Sequence, residues 1–193
     1  MFSFFSQILY PIFYLKMIYE PAEDSFLLKK EVKKYAKGKK FLDMGAGPGI
    51  QSRAAIKSKA KSVLAADISP ESIKLLKSIK ILSIKSNLFS NIKGKFDLIA
   101  FNPPYLPEDK REDKESRLIT TGGKKGDEII LKFLKEARNH LTKEGFILLL
   151  ISSLTPKLRI LSLLKKQQMN KQILSKKKIF MEELQVWKIT QKA

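Results

Sequence analysis

The 193-residue chain has no cysteine and a single histidine, and only five of its 38 basic residues are arginine. Without thiols there is no disulfide, thiolate metal site or cysteine nucleophile, and a reducing, cytoplasmic setting is the expectation. The lone His140 falls near the end of a predicted helix, where a cation suits the dipole, and reads as structural surface. Acids are scarce too, 19 against 38 bases, for a formal net charge of +19. That balance invites a nucleic-acid partner. Arginine, however, is the residue that reads guanine and grips phosphate with two bonds, and here lysine is spread over every segment. Steering toward an RNA-bound or acidic partner fits the charge equally well.

Long apolar runs are also missing. The opening "MFSFFSQILYPIFYLK" offers 15 uncharged residues before Lys16, against the ~20 that a membrane span needs. It lacks a basic n-region and a small-residue cleavage site, and it holds Gln7 and Pro11, so neither a signal peptide nor a spanning helix is expected. Residues 1–16 are expected to be an extension, either a start set upstream of Met17 or an apolar arm that covers the domain or meets a partner. Residues 17–193 are expected to form one domain.

What is present is a regular alternation of strands and helices without repeat or linker. Glu20–Ser25 carries a helix-start signal, proline with acids in the first turn, and Gly38 ends the helix. Lys40–Met44, Ser62–Asp67, Ile81–Ile84 and Phe96–Phe101 read as strands, separated by helices beginning at Ile50 and spanning Pro70–Ile79. A polar loop from Leu106 to about Gly126 leads to a helix over Glu128–Leu141, a strand over Phe146–Ser152 and a helix over Thr155–Lys166. Two alternating runs, Lys171–Phe180 and Glu182–Thr190, predict a closing antiparallel pair. The expectation is an α/β fold with a mostly parallel, doubly wound sheet whose site lies at the strands' carboxyl ends.

The first predicted strand runs into Asp43-Met44-Gly45-Ala46-Gly47-Pro48-Gly49, with a helix behind it. That context lets backbone approach a ligand at a helix N-terminus. The dinucleotide spacing G-x-G-x-x-G fails, because its last position falls on Ile50. The pattern D-x-G-x-G-x-G instead resembles the loop of S-adenosylmethionine-dependent methyltransferases, with Asp43 placed to meet the methionine amino group. Asp67 closes the second strand, where a carboxylate suits both hydroxyls of a ribose; capping the next helix is the alternative, and the two can coexist. Asn87, in "KSNLFSN", stands where such enzymes accept from the adenine amino group, or is a turn asparagine.

The strand Phe96–Phe101 stops at Asn102-Pro103-Pro104-Tyr105, since prolines cannot donate to a ladder. This block resembles the [D/N/S]-P-P-[Y/F/W] motif of methyltransferases that alkylate planar nitrogens. An amide nitrogen's lone pair is delocalised, so its hydrogens must be held before it attacks. The Asn102 side-chain oxygen can accept one N–H and the Pro103 carbonyl the other, with the prolines fixing both acceptors in advance. Tyr105 offers a flat face to a planar group. No metal, histidine or covalent nucleophile is needed.

Taken together, "YEPAEDSFLL", "FLDMGAGPG", "AADISPES", "SNLFS", "FDLIAFNPPYLP" and "TGGKKGDEII", in that order, make the chain similar to the HemK-like protein-glutamine N5-methyltransferases. The closest likeness is to their short archaeal and eukaryotic branch, which modifies the Gly-Gly-Gln motif of class I release factors. The resemblance implies a Rossmann-like seven-stranded sheet with an antiparallel last strand, and S-adenosylmethionine as cofactor. It implies catalysis by Asn102, Pro103 and Tyr105. Cofactor contacts would come from Ser25, at the cofactor's carboxylate end, and from Asp43, Gly45, Gly47, Gly49, Asp67, Asn87, Leu88 and Asn102. The substrate would meet Asn102, Pro103, Pro104, Tyr105, Gly122 and Gly123. Asn87 stands where relatives usually have aspartate, although an amide oxygen can still accept. A release factor as substrate is implied, and so is a heterodimer with a small zinc-binding activator that covers an apolar sheet edge. Two alternatives stand beside this one: an N6-adenine DNA or RNA methyltransferase, for which little chain is left to read a duplex, and a catalytically idle binding subunit.

Overall fold

Apolar runs without alternation suit strands buried on both faces, and here they form the middle of one sheet. The computed structural model describes residues 22–108 and 121–192. Residues 1–16, the start of "YEPAEDSFLL" and residues 109–120 of the polar loop lie outside them. Among the described residues the helices are α1 (Glu23–Tyr35), α2 (Ile50–Lys57), α3 (Pro70–Ser78), α4 (Glu128–Ala137) and α5 (Lys157–Lys166). The strands are β1 (Lys40–Met44), β2 (Ser62–Asp67), β3 (Ser83–Lys85), β4 (Phe96–Phe101), β5 (Leu141–Ser152), β6 (Met169–Ile179) and β7 (Glu182–Gln191). They assemble in the order β3-β2-β1-β4-β5-β7-β6. Strands β3 to β5 are mutually parallel, and β7 runs antiparallel to both β5 and β6. This is the seven-stranded, mostly parallel sheet that the motif order predicts.

Period-two alternation sorts each central strand between two layers. Leu98, Ala100, Leu148 and Leu150 face Leu28 and Val32 of α1 and Ala54 and Ala55 of α2. Their neighbours Ile99, Phe101, Ile147 and Leu149 face Ile130, Phe133 and Leu134 of α4 and Ile160 and Leu164 of α5. Phe133 bridges Phe101 and Phe89, with ring centroids 4.6 and 5.4 Å apart.

Several boundaries differ from the sequence pattern. The helix from Glu128 ends at Ala137, and Arg138–His140 form a 3-10 turn, because Leu141 is drawn into β5 opposite Phe96. His140 is structural: its ring stacks on Phe89 at 4.5 Å, and Nδ1 lies 3.1 Å from the Gly94 carbonyl oxygen. The third strand starts at Ser83, since Ile81 is buried with Ile73 and Leu76 in a small satellite core. Strands β5 and β6 both begin before their apolar runs do. Among the described residues no helix is long and apolar enough to cross a membrane.

Gly49 holds α2 against that satellite core. It caps the helix at φ +78°, and a Cβ there would come within 2.7 Å of Leu76 Cδ2 and 3.3 Å of Ile81 Cδ1. Gly49→Ala combines left-handed strain with overpacking and is expected to cost about 3 kcal/mol. A shift in the urea midpoint checks this; an unchanged midpoint would show that α2 can slide to make room.

Candidate functional site

Parallel pairing brings the ends of β1, β2 and β4 together, with Met44 beside both Ala66 and Phe101. The glycine loop and the Asn-Pro-Pro-Tyr corner therefore emerge side by side. The chain after β1 passes to α2, on the face it shares with α1, whereas α4 follows β4 on the opposite face. That is the divergence at which open α/β sheets bind ligands.

The acidic residues knit the loop together. Asp67 Oδ2 accepts the Gly47 N–H and Oδ1 accepts the Ser69 N–H, both at 2.8 Å. The cap left open for Asp67 falls instead to Ser69, whose Oγ accepts the Ser72 N–H at 3.2 Å. Each Asp67 oxygen keeps a lone pair for a further donor. Asp43 is buried under the loop, where its Oδ2 takes the Ser52 N–H at 2.8 Å and the Ser52 hydroxyl at 2.7 Å. Burial pushes its carboxyl from 3.8 up to about 7; the Ser52 bonds pull the other way, and the charge of Asp67 adds to the rise. Burial likewise raises Asp67, against the N–H groups of Ser69 and Gly47 that it accepts. A Cβ on Gly47 would meet nothing within 4 Å, so the loop's crest is open, whereas Gly45 packs on the Phe101 ring.

Beyond β3, Asn87 is exposed and its N–H donates to Ser90 Oγ at 3.1 Å. Leu88 is half-buried against the core, in a turn where its carbonyl accepts from Ser86 Oγ at 2.6 Å. Both stand at the same sheet edge as Asp67.

Asn102 is held from α1. Its Nδ2 donates to Asp24 Oδ2 at 3.1 Å and to Ser25 Oγ at 3.3 Å, while its Oδ1 is buried without a partner among the described residues. Pro103 is buried. Tyr105 is half-buried and packs against both core layers. Gly122 is pressed onto this corner: its N–H donates to the Leu106 carbonyl at 2.9 Å, and a Cβ would lie 2.7 Å from the Pro104 carbonyl oxygen and 2.4 Å from that of Gly126. Gly123 accepts the Glu108 N–H at 3.0 Å. Gly122 thus braces the corner directly, and Gly123 holds the chain that leaves it at Glu108.

The structure brings together Ser25, Asn102, Pro103, Tyr105, Gly122 and Gly123, and beside them the loop residues with Asp67. Sequence reasoning missed two participants. Asp24 stood beside Ser25 in a quoted motif but read as one of the acids of a helix start. Gln51 carried no signal at all; it is 3% exposed, its Nε2 donates to the Ser25 carbonyl at 3.0 Å, and its Oε1 is a buried acceptor with no partner among the described residues.

Residues 23–181 match the family model of the methyltransferase small domain. A protein of Methanocaldococcus jannaschii assigned as a protein N5-glutamine methyltransferase is 41% identical over 177 residues, covering 88% of this chain and 89% of its own. The release factor glutamine methyltransferase of Aquifex aeolicus is 33% identical over 123 residues, or 55% of this chain and 44% of that one. Among solved structures, the E. cuniculi Mtq2–Trm112 complex, described as responsible for methylation of the eRF1 translation termination factor, superposes with a TM-score of 0.74. At 24% identity it covers 91% of this chain and 99% of its own, and that likeness speaks for the fold.

The raised Asp43 carboxyl has a sign that can be tested. Its folded value of about 7 exceeds the ordinary 3.8, so its contribution to stability is full below about pH 4 and is withdrawn as pH rises through about 7. Asp43→Asn is expected to lose less stability than the natural chain between pH 5 and pH 8 in urea titrations. Parallel losses in the two proteins would refute the assignment.

Proposed function

Because the chain belongs to the methyltransferase small domain family, HemK-like branch, we propose that it methylates a glutamine side-chain amide at N5, in the Gly-Gly-Gln motif of a class I release factor. The observation that carries this reading is the buried Asn102 Oδ1, an acceptor with no partner among the described residues, beside the glycine loop. A buried acceptor left unpaired costs free energy and persists where a ligand supplies the donor. A primary amide brings two N–H donors, which suits Oδ1 together with the Pro103 carbonyl.

S-adenosylmethionine supplies an electrophilic methyl group on a sulfonium. The residues at the loop fit such a cationic, ribose-bearing molecule: the open crest at Gly47, the Asp67 carboxylate beside it, and Gln51 Oε1 as a spare acceptor. Ser25, Asp43, Gly45, Gly49, Asn87 and Leu88 complete the proposed cradle. The chain's task at the other end is to orient one nitrogen. Asn102 and Pro103 hold its hydrogens, Tyr105 bounds the plane, and Pro104, Gly122 and Gly123 keep the corner from shifting. Acceptors set before the substrate arrives do not have to reorganise during transfer.

A small zinc-binding activator subunit fits this reading, at the edge where β3 is only three residues long. Leu82 is 71% exposed there, and Ile56 and Ile79 are exposed nearby. The opposite edge, β6, carries Lys171, Lys176, Lys177 and Lys178. An unpaired apolar edge is a surface that a partner covers. The same reading takes the cytoplasm as the protein's setting, residues 17–193 as the catalytic unit and residues 1–16 as its extension.

Purified chain with its activator is expected to transfer a methyl group to a release factor and not to its Gln→Ala variant. Transfer to duplex or single-stranded nucleic acid alone would overturn the proposal in favour of adenine. Asn102→Ala is expected to bind the cofactor within about threefold of the natural chain while losing about a hundred- to a thousandfold in kcat, the scale of one preorganised hydrogen-bonding group. Calorimetry and single-turnover rates separate the two effects.

A further inference from the structure

An asparagine amide is nearly symmetrical in shape, and only one of its two flips turns an acceptor toward a substrate N–H. On this side of the molecule the choice is made by α1. The Nδ2 of Asn102 donates to two acceptors of α1, Asp24 Oδ2 at 3.1 Å and Ser25 Oγ at 3.3 Å. Turned over, Oδ1 would face a carboxylate oxygen, which accepts hydrogen bonds and cannot return one. Asp24 is 6% exposed and Ser25 2%, so water does not compete for these contacts.

We infer that Asp24 is a positioning residue, which fixes the flip of the Asn102 amide and, through its charge, strengthens Oδ1 as an acceptor. A carboxylate bonded to the N–H end of an amide draws that dipole into line, and in a water-poor site the polarisation is transmitted to the far oxygen. The negative charge therefore stands behind the acceptor, opposite the nitrogen on which positive charge builds as the carbon–nitrogen bond forms.

The turn that carries Asp24 is itself anchored from several directions. Asp24 Oδ1 takes the Ser25 N–H, Gln51 Nε2 holds the Ser25 carbonyl at 3.0 Å, and Glu23 pairs with Lys177 of β6. The position of the Asn102 amide is thereby tied to α2 and to the far edge of the sheet. Asp24 acts through Asn102, and the inference rests on the proposed function only in taking Oδ1 to meet a substrate N–H.

The test uses two variants of the full chain with its activator. Asp24→Asn keeps the size and one acceptor but removes the charge; Asp24→Ala removes the hold altogether. Loss of a group that orients an active-site ligand costs about ten- to a hundredfold. The expected result is a kcat lowered about tenfold in Asp24→Asn, with cofactor affinity kept within about threefold, and a kcat lowered about a hundredfold in Asp24→Ala. A second readout needs no turnover: the side-chain amide protons of Asn102, followed by nitrogen-15 NMR, are expected to exchange slowly in the natural chain and to shift and exchange faster in Asp24→Asn. Natural kcat in both variants, or Asn102 protons that exchange in the natural chain as fast as those of an exposed asparagine, would overturn the inference. A natural chain that methylates no release factor defeats the substrate reading instead, and the exchange measurement still decides the role of Asp24.

Discussion

Met44 and Phe101 stand side by side at the carboxyl ends of two parallel strands, and the rest of the site hangs on that pairing. Adjacent strands whose chains depart to opposite faces leave a crevice between them. The glycine loop forms one wall and the Asn-Pro-Pro-Tyr corner the other. Gly49 keeps the first wall thin by letting α2 lie against Leu76 and Ile81, and Gly122 seats the second by lying directly on the Pro104 carbonyl. Had the sheet placed another strand between β1 and β4, the two motifs would be a strand's width further apart, about 5 Å, and each would be an unremarkable turn.

The polar chemistry around that crevice follows one rule, that a buried polar atom needs a partner. Asp43 answers it with Ser52, and Asp67 with Gly47 and Ser69. Asn102 Oδ1 and Gln51 Oε1 have no partner among the described residues, and both belong to side chains whose nitrogens are held by the Asp24–Ser25 turn. The protein thus spends its own hydrogen bonds on the donor ends of two amides and leaves their acceptor ends unmatched. Such a pattern is costly as architecture and useful for binding a molecule rich in N–H groups.

Several parts of this were legible along the chain. Phe41–Asp43 and Phe96–Phe101 announce buried strands by apolar continuity, and the glycines and prolines that follow announce where each must stop. The closing pair around Phe180 and Met181 was legible because alternation is a local property. Edges were harder to read. Ile81 and Leu82 look alike in sequence, yet one fills the satellite core and the other is exposed, a difference set by how α3 packs.

The sequence by itself determined the strand–helix order, the glycine loop with Asp43, and the amide–proline corner, since each is written in runs of neighbouring residues. Only the tertiary structure decided what holds Asn102 in place. Asp24 and Asn102 are 78 positions apart, and no periodicity links a first-turn acid to an amide at the end of a strand. The same applies to Gln51, which reaches Ser25 across 26 positions. Hydrogen bonds of that kind arise when a sheet brings distant segments to one edge, and they leave no local trace.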